Sequence, residues 1–289
     1  MADPNIQLHS QLLKCAENGD LAGVARLLAQ GVDPCNNNSA PLAWAANNGH
    51  AECVKLLIPV SDPKAKSSLA LRWASYNGHP ECVKLLIPVS DPMACESEAI
   101  YFASENGHAD CVELLIPVSD PKANNSMALR YGARFGHAEC VRLLIPASDP
   151  AANEFEAIHF ASGNGHVECA KLLLPVSEPR ANNSIALRQA ARHGHAECVK
   201  LLIPKSAPLI EIQGLVAELI TAGNPAILSI MIAHEPRLLD GVDIGAVLAA
   251  AVEANRSELA ALLRSLLERQ DIDSHLPTAP PAHQRTPRL

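Results

Sequence analysis

The phrase Gly-His-Ala-Glu-Cys-Val-Lys-Leu-Leu-Ile-Pro stands at residues 49–59 and returns unchanged at 194–204. Varied copies begin at Gly78, Gly107, Gly136 and Gly165, so six copies lie on one ruler of 29 residues. A fixed period of this length means stacked units, none of which can bury its apolar face alone. Cys53, Val54, Leu56, Leu57 and Ile58 predict an apolar helical stripe, with Glu52 and Lys55 on the other side and Pro59 as the stop. A helix of about ten residues is marginal by itself. It needs a partner helix and the repeats on either side.

The units around this phrase read as helix pairs. Residues 8–31 form the first, broken at Gly19-Asp20 and closed by Gly31, which is placed for a left-handed helix end. In the repeats the first helix is read from residues such as 68–75, with a preceding serine or asparagine as its expected cap. Asn77-Gly78-His79 supplies the glycine for a left-handed turn between helices. Beyond Pro204 the ruler weakens, yet Gly223 keeps the 29-residue step from Gly194, and a last pair is expected at 244–254 and 257–270. About nine pairs are expected in all.

The run Ala40-Pro41-Leu42-Ala43-Trp44-Ala45-Ala46-Asn47-Asn48-Gly49-His50, with the phrase that follows it, resembles the ankyrin repeat and its TPLHxAAxxGHxxVVKLLLxxGADxNA pattern. The resemblance spans roughly residues 8–270 and is strongest over 39–204. An ankyrin repeat runs to about 33 residues. Aligned on Gly-His, the deficit falls between Ile58 and Leu71, where the projecting finger should be stunted. The fold implied is all-α: an ankyrin-like helix-turn-helix repeat solenoid with shortened inter-repeat loops and little or no β-sheet. Its expected parts are an N-terminal capping repeat (1–31), six near-identical repeats (32–204), divergent C-terminal repeats and cap (205–273), and a disordered tail (274–289).

Nine cysteines raise the question of disulfides or zinc. Six of them, Cys53, Cys82, Cys111, Cys140, Cys169 and Cys198, hold one place in every repeat. Stacked helices lie roughly 8–10 Å apart, beyond the Cα separation of about 7 Å that a disulfide tolerates. These six are expected to be small buried hydrophobes, reduced and metal-free. Cys15, Cys35 and Cys95 fall off the ladder.

The His-x-Glu-Cys or His-x-Asp-Cys in these repeats is half of a zinc-deaminase signature, whose Pro-Cys-x-x-Cys half is absent. No enzyme needs its acid–base group in every repeat. In ankyrin-like units this histidine is expected to bond locally at the inter-helix turn. The sequence has no phosphate loop and no Gly-x-Ser-x-Gly, so neither catalytic residues, cofactor nor metal is expected. A net charge of −8 argues against a general nucleic-acid binder, and no run of 18 apolar residues suggests a membrane span. The first residues lack a secretory pattern, which points to a cytoplasmic location.

What varies between repeats is informative, because invariant positions are held by packing. Basic rungs with Arg72, Arg130 and Arg188 alternate with acidic rungs bearing Glu98 and Glu156, either as a ladder of charge pairs or as a banded recognition surface. Trp44, Trp73, Phe102, Tyr131 and Phe160 share one helical position, and Gln189 breaks the series. They are either packing between first helices or a partly exposed stripe. The residues just before each Gly-His differ from rung to rung, among them Tyr76, Arg134, Phe135 and Arg192. In ankyrin-like folds they lie on the concave side, which implies partner contacts through Arg72, Tyr76, Tyr101, Arg130, Arg134, Phe135, Arg188 and Arg192.

The expected function is non-catalytic protein binding by a monomer. A different reading is a targeting or regulatory array for an associated enzyme. The compact array resembles those of bacteria, some of which are effectors acting on a host protein inside the host cell. A third is a groove for a small molecule or nucleic acid, which the acidic charge disfavours.

Overall fold

A computed structural model describes residues 4–209, 212 and 214–275. Two compact units divide the chain, Met1–Ala207 and Pro208–Leu289. The first opens with α1 (Pro4–Glu17) and α2 (Leu21–Ala29). Six pairs follow: α3 (Asn36–Asn47) with α4 (Ala51–Leu57), α5 (Ala65–Tyr76) with α6 (Pro80–Leu86), and α7 (Ala94–Glu105) with α8 (Ala109–Leu115). Then come α9 (Ala123–Phe135) with α10 (Ala138–Leu144), α11 (Ala152–Gly163) with α12 (Val167–Leu173), and α13 (Ala181–Arg192) with α14 (Ala196–Leu202). The second unit holds α15 (Leu215–Ala222), α16 (Pro225–His234), α17 (Ile244–Glu253) and α18 (Ser257–His275). No strand occurs among the described residues. The described residues are all-α, and the first unit is a solenoid of stacked helix pairs. Of the tail expected at 274–289, residues 276–289 lie outside the described residues, while 274 and 275 finish α18.

The second helix of each of the six repeats is only two turns long, and its inward stripe is almost completely covered. Cys111, Val112 and Leu115 on α8 are 0% exposed, and the matching residues of the other repeats are as deeply buried. On the first helices, Leu71 and Ala74 or their equivalents Ile100 and Ala103 face inward. Burying one such leucine or isoleucine contributes roughly 1.5–3 kcal/mol. The alanines let neighbouring helices approach closely, so the low aromatic content of the core follows from the packing.

The Gly-His turn is the main joint between repeats. Gly49, Gly78 and Gly107 have φ between 72° and 79°, the left-handed region that glycine enters without a steric penalty. Over each glycine lies the histidine of the next repeat: a Cβ on Gly49 would stand 2.6 Å from His79 Nδ1. His79 Nε2 then donates to the carbonyl of Asn47 at 2.9 Å, and His108, His137 and His166 do the same to Tyr76, Glu105 and Arg134. The local bond expected for this histidine is therefore replaced by one reaching a carbonyl 32 residues earlier, at the open C-terminal end of the preceding first helix. In the second unit Arg256 performs the same task, its Nη1 donating to Ile220 O beside the left-handed Gly223.

The stunted finger turns out to be a left-handed helical turn. Lys66, Ser67 and Ser68 have φ of 48°, 55° and 58°, and the same three positions of the other repeats match them. Ordinary residues incur roughly 1–2 kcal/mol each in this conformation. Asparagine at positions 37, 38, 124, 125, 182 and 183 lowers that cost, because its short amide tolerates the left-handed region. The last residue of the turn is a buried serine in every repeat but one. It does not cap its own helix as expected. Ser68 Oγ accepts from Asp91 N at 2.8 Å, Ser97 Oγ from Asp120 N at 2.9 Å, and Ser126 Oγ from Asp149 N at 2.8 Å. The capping group is thus spent on the next repeat's loop, 23 residues on. Phe155 takes this place once and has no hydroxyl to offer.

Two measurements check this architecture. Gly107→Val forces a β-branched side chain into a left-handed turn, where its Cβ would lie 2.5 Å from His137 Nδ1. It should cost roughly 2 kcal/mol or more in thermal or urea unfolding, and unchanged melting would mean that the turn accommodates a Cβ. Burial raises the thiol pKa of Cys82 and Cys169 to about 11 and of Cys111 and Cys140 to about 12, so little thiolate exists at neutral pH. In the native protein a thiol reagent should label the exposed Cys35 and Cys95 first and reach the six ladder cysteines only on unfolding.

Candidate functional site

The first helices α3 to α13 present the residues that differ from rung to rung, and their spacing follows from helical geometry. Arg72, Trp73 and Tyr76 lie within one turn of α5. The equivalents on the next helices are Tyr101, Phe102 and Glu105, then Arg130, Tyr131 and Arg134.

Arg72 and Arg130 are engaged between rungs. Arg72 forms an ion pair with Glu98 of the next first helix, and its Nη2 donates to Lys66 O at 2.9 Å. Arg130 Nε lies 2.6 Å from Glu156 Oε2, and its Nη1 donates to Asn124 O at 3.1 Å. Only 16% and 14% of these two side chains is exposed, so the alternation of basic and acidic rungs is a ladder of pairs that also satisfies the carbonyls of the left-handed turns. Tyr101 is half-buried and donates to Glu105 Oε1 at 2.9 Å; burial first, then that carboxylate, raise its pKa. Arg188 is half-buried.

The aromatic residues contact one another along the stack and remain half-buried. Trp44 meets Trp73 edge-on at 5.3 Å. Tyr101 meets Tyr131 at 5.3 Å, Tyr76 meets Phe102 at 5.4 Å, and Tyr131 meets Phe160 at 6.5 Å. Packing and partial exposure, the two alternatives in the sequence, hold together. Above the stripe stand the exposed residues Tyr76, Arg134, Phe135 and Arg192, with Tyr76 45% and Phe135 47% accessible. Arg134 Cζ lies 5.2 Å from the Phe160 ring centroid and 5.5 Å from that of Tyr131. The guanidinium is thereby held over an aromatic face, an arrangement worth about 0.5–1 kcal/mol at an exposed site.

The sequence did not single out the cleft beyond Arg134. Arg134, His159, Phe160, Gly163, Gln189 and His193 line a hollow of about 340 Å³ between α9, α11 and α13. It opens because Gly163 stands where Tyr76, Glu105 and Arg134 stand on other rungs, and Gln189 replaces the ring of the aromatic series. The break at Gln189 was the visible signal. His193 Nδ1 donates to Gly163 O at 2.8 Å. Burial lowers the pKa of His159, against a weaker opposing pull from Glu156 and Glu154, which favours its neutral imidazole as a hydrogen-bonding group.

Among the described residues no cluster of three or more His, Cys, Asp or Glu could hold a metal ion, and no helix is long and apolar enough to cross a membrane. No curated protein matches the sequence. The ankyrin repeats family profile matches it three times, over residues 12–94, 71–154 and 147–213. Ankyrin repeats are generally protein–protein interaction modules, and the family is typically non-catalytic. With stacked helix pairs, Gly-His joints and these matches in agreement, the chain belongs to the ankyrin repeat family.

Proposed function

We propose that this chain is a non-catalytic scaffold that binds a partner protein through the concave face formed by its first helices. The observation that carries this reading is the set of large side chains exposed on an otherwise interlocked surface: Tyr76, Phe135, and Arg134 laid over Tyr131 and Phe160. Aromatic and arginine side chains are the usual anchors of protein interfaces. Preset over a ring, Arg134 has less conformational freedom to lose on binding. Arg192 extends the same row by two rungs. Arg72 and Arg130 contribute by fixing the rungs through their glutamate pairs, Tyr101 packs on the Tyr131 ring of the next rung, and Arg188 stands one helical turn before Arg192. Recruitment of an enzyme, or action on a host protein as a bacterial effector, would use this same face.

The test is to identify the partner by affinity capture and mass spectrometry, then measure its binding by calorimetry. Arg134→Ala combined with Phe135→Ala should weaken it by at least about 1–2 kcal/mol and leave the melting temperature nearly unchanged. Lys84→Ala, on the exposed side of α6, should do little. Unaltered binding by the double variant would place the interface elsewhere, and unfolding would make these two residues part of the core.

A further inference from the structure

We propose that the cleft beside Gly163 is a specificity pocket for an acidic segment of the partner, one that inserts an aromatic side chain flanked by carboxylates. This rests on the reading of the first-helix face as the binding surface, and goes beyond it by naming the chemistry of what binds. Three observations carry it. The hollow is built by subtraction: on other rungs Tyr76, Glu105 and Arg134 occupy the place where Gly163 leaves room. Phe160 and Ile185 offer it an apolar wall, and Arg134 lies over the Phe160 ring, so an inserted ring would meet both an aromatic face and a cation.

The charge around the cleft is the third observation. Its single lining carboxylate, Glu156, already accepts from Arg130 Nε at 2.6 Å and Asn153 Nδ2 at 3.1 Å. Gln189, Asn164 and His193 supply polar groups, and the exposed Arg134 and Arg192 stand on the rungs to either side. In a chain of net charge −8 this is a locally basic face, and carboxylates are its complement.

The probe is a library of short random peptides displayed on phage and selected on the full chain. The expected result is enrichment of sequences that set Asp or Glu beside Trp, Tyr or Phe. Affinity for such peptides, made synthetically, should fall roughly tenfold or more when Gly163→Leu fills the hollow. That variant should fold after a small shift of Gln189, whose Cβ lies 3.3 Å from the new Cβ, because Gly163 lacks a left-handed φ and larger residues occupy its position on other rungs. Gln189→Glu, which changes charge without changing shape, should weaken the same peptides and gives a second route if the first variant unfolds. Enrichment of basic or uncharged peptides, no enrichment, or peptides indifferent to both variants would each overturn the proposal. Tyr76→Ala with Phe135→Ala spares every residue lining the cleft. If that pair weakens the peptides and the cleft variants do not, the face is the binding surface and the pocket is not. If neither affects them, both readings fail.

Discussion

Everything in the repeat array depends on one contact, the imidazole of each Gly-His seated on the glycine of the repeat before it. It requires a residue without a side chain, because a Cβ on Gly78 would stand 2.3 Å from His108 Nδ1. It also closes a hydrogen-bond account: the last carbonyls of a short first helix have no partner inside the helix, and the histidine supplies one. Steric fit and polar satisfaction thus fall on the same pair of residues. Helices of two turns could not persist singly; here each is positioned by its neighbour as well as by its own apolar stripe.

The opposite end of each repeat uses a costlier device. Three successive left-handed residues turn the chain within a loop shorter than an ankyrin finger, and the strain is offset by bonds to neighbouring groups. The serine that ends the turn receives an amide from the following loop, while Arg72 and Arg130 donate to carbonyls of the turn itself. The consequence is a division of labour along each unit, with glycine and histidine fixing one edge of the stack and serine and arginine the other. Between these edges the exposed first-helix positions are free to differ.

How much of this could be read in the sequence depended on whether a residue's partner was near in the chain. The helix pairs, the all-α class and the place of the cysteines followed from a 29-residue period and from apolar spacing within one helix. The serine and the histidine read as structural, but their neighbours in the chain point to a local cap and a local turn contact. In the structure their partners lie 23 and 32 residues away in adjacent units. Lys66, Glu96 and Phe155 gave no hint of left-handed backbone, since none of them favours it. The cleft was half-visible: Gln189 marked a break in the aromatic series, but the void appears only once Gly163 and His193 are brought beside it.

The pairing of Arg72 with Glu98 and of Arg130 with Glu156 gives the array a grain coarser than its repeat. The seams between α5 and α7 and between α9 and α11 add an ion pair to their ring contacts, Tyr76–Phe102 and Tyr131–Phe160, whereas the seam between α7 and α9 has the Tyr101–Tyr131 rings and Ser104 Oγ donating to Ala128 O at 2.7 Å. Dissolved salt weakens the first kind of seam and leaves the second almost untouched. A chain whose units look nearly alike is therefore a sequence of dissimilar welds. Under load or heat, the ionic strength of the medium should shift where it parts.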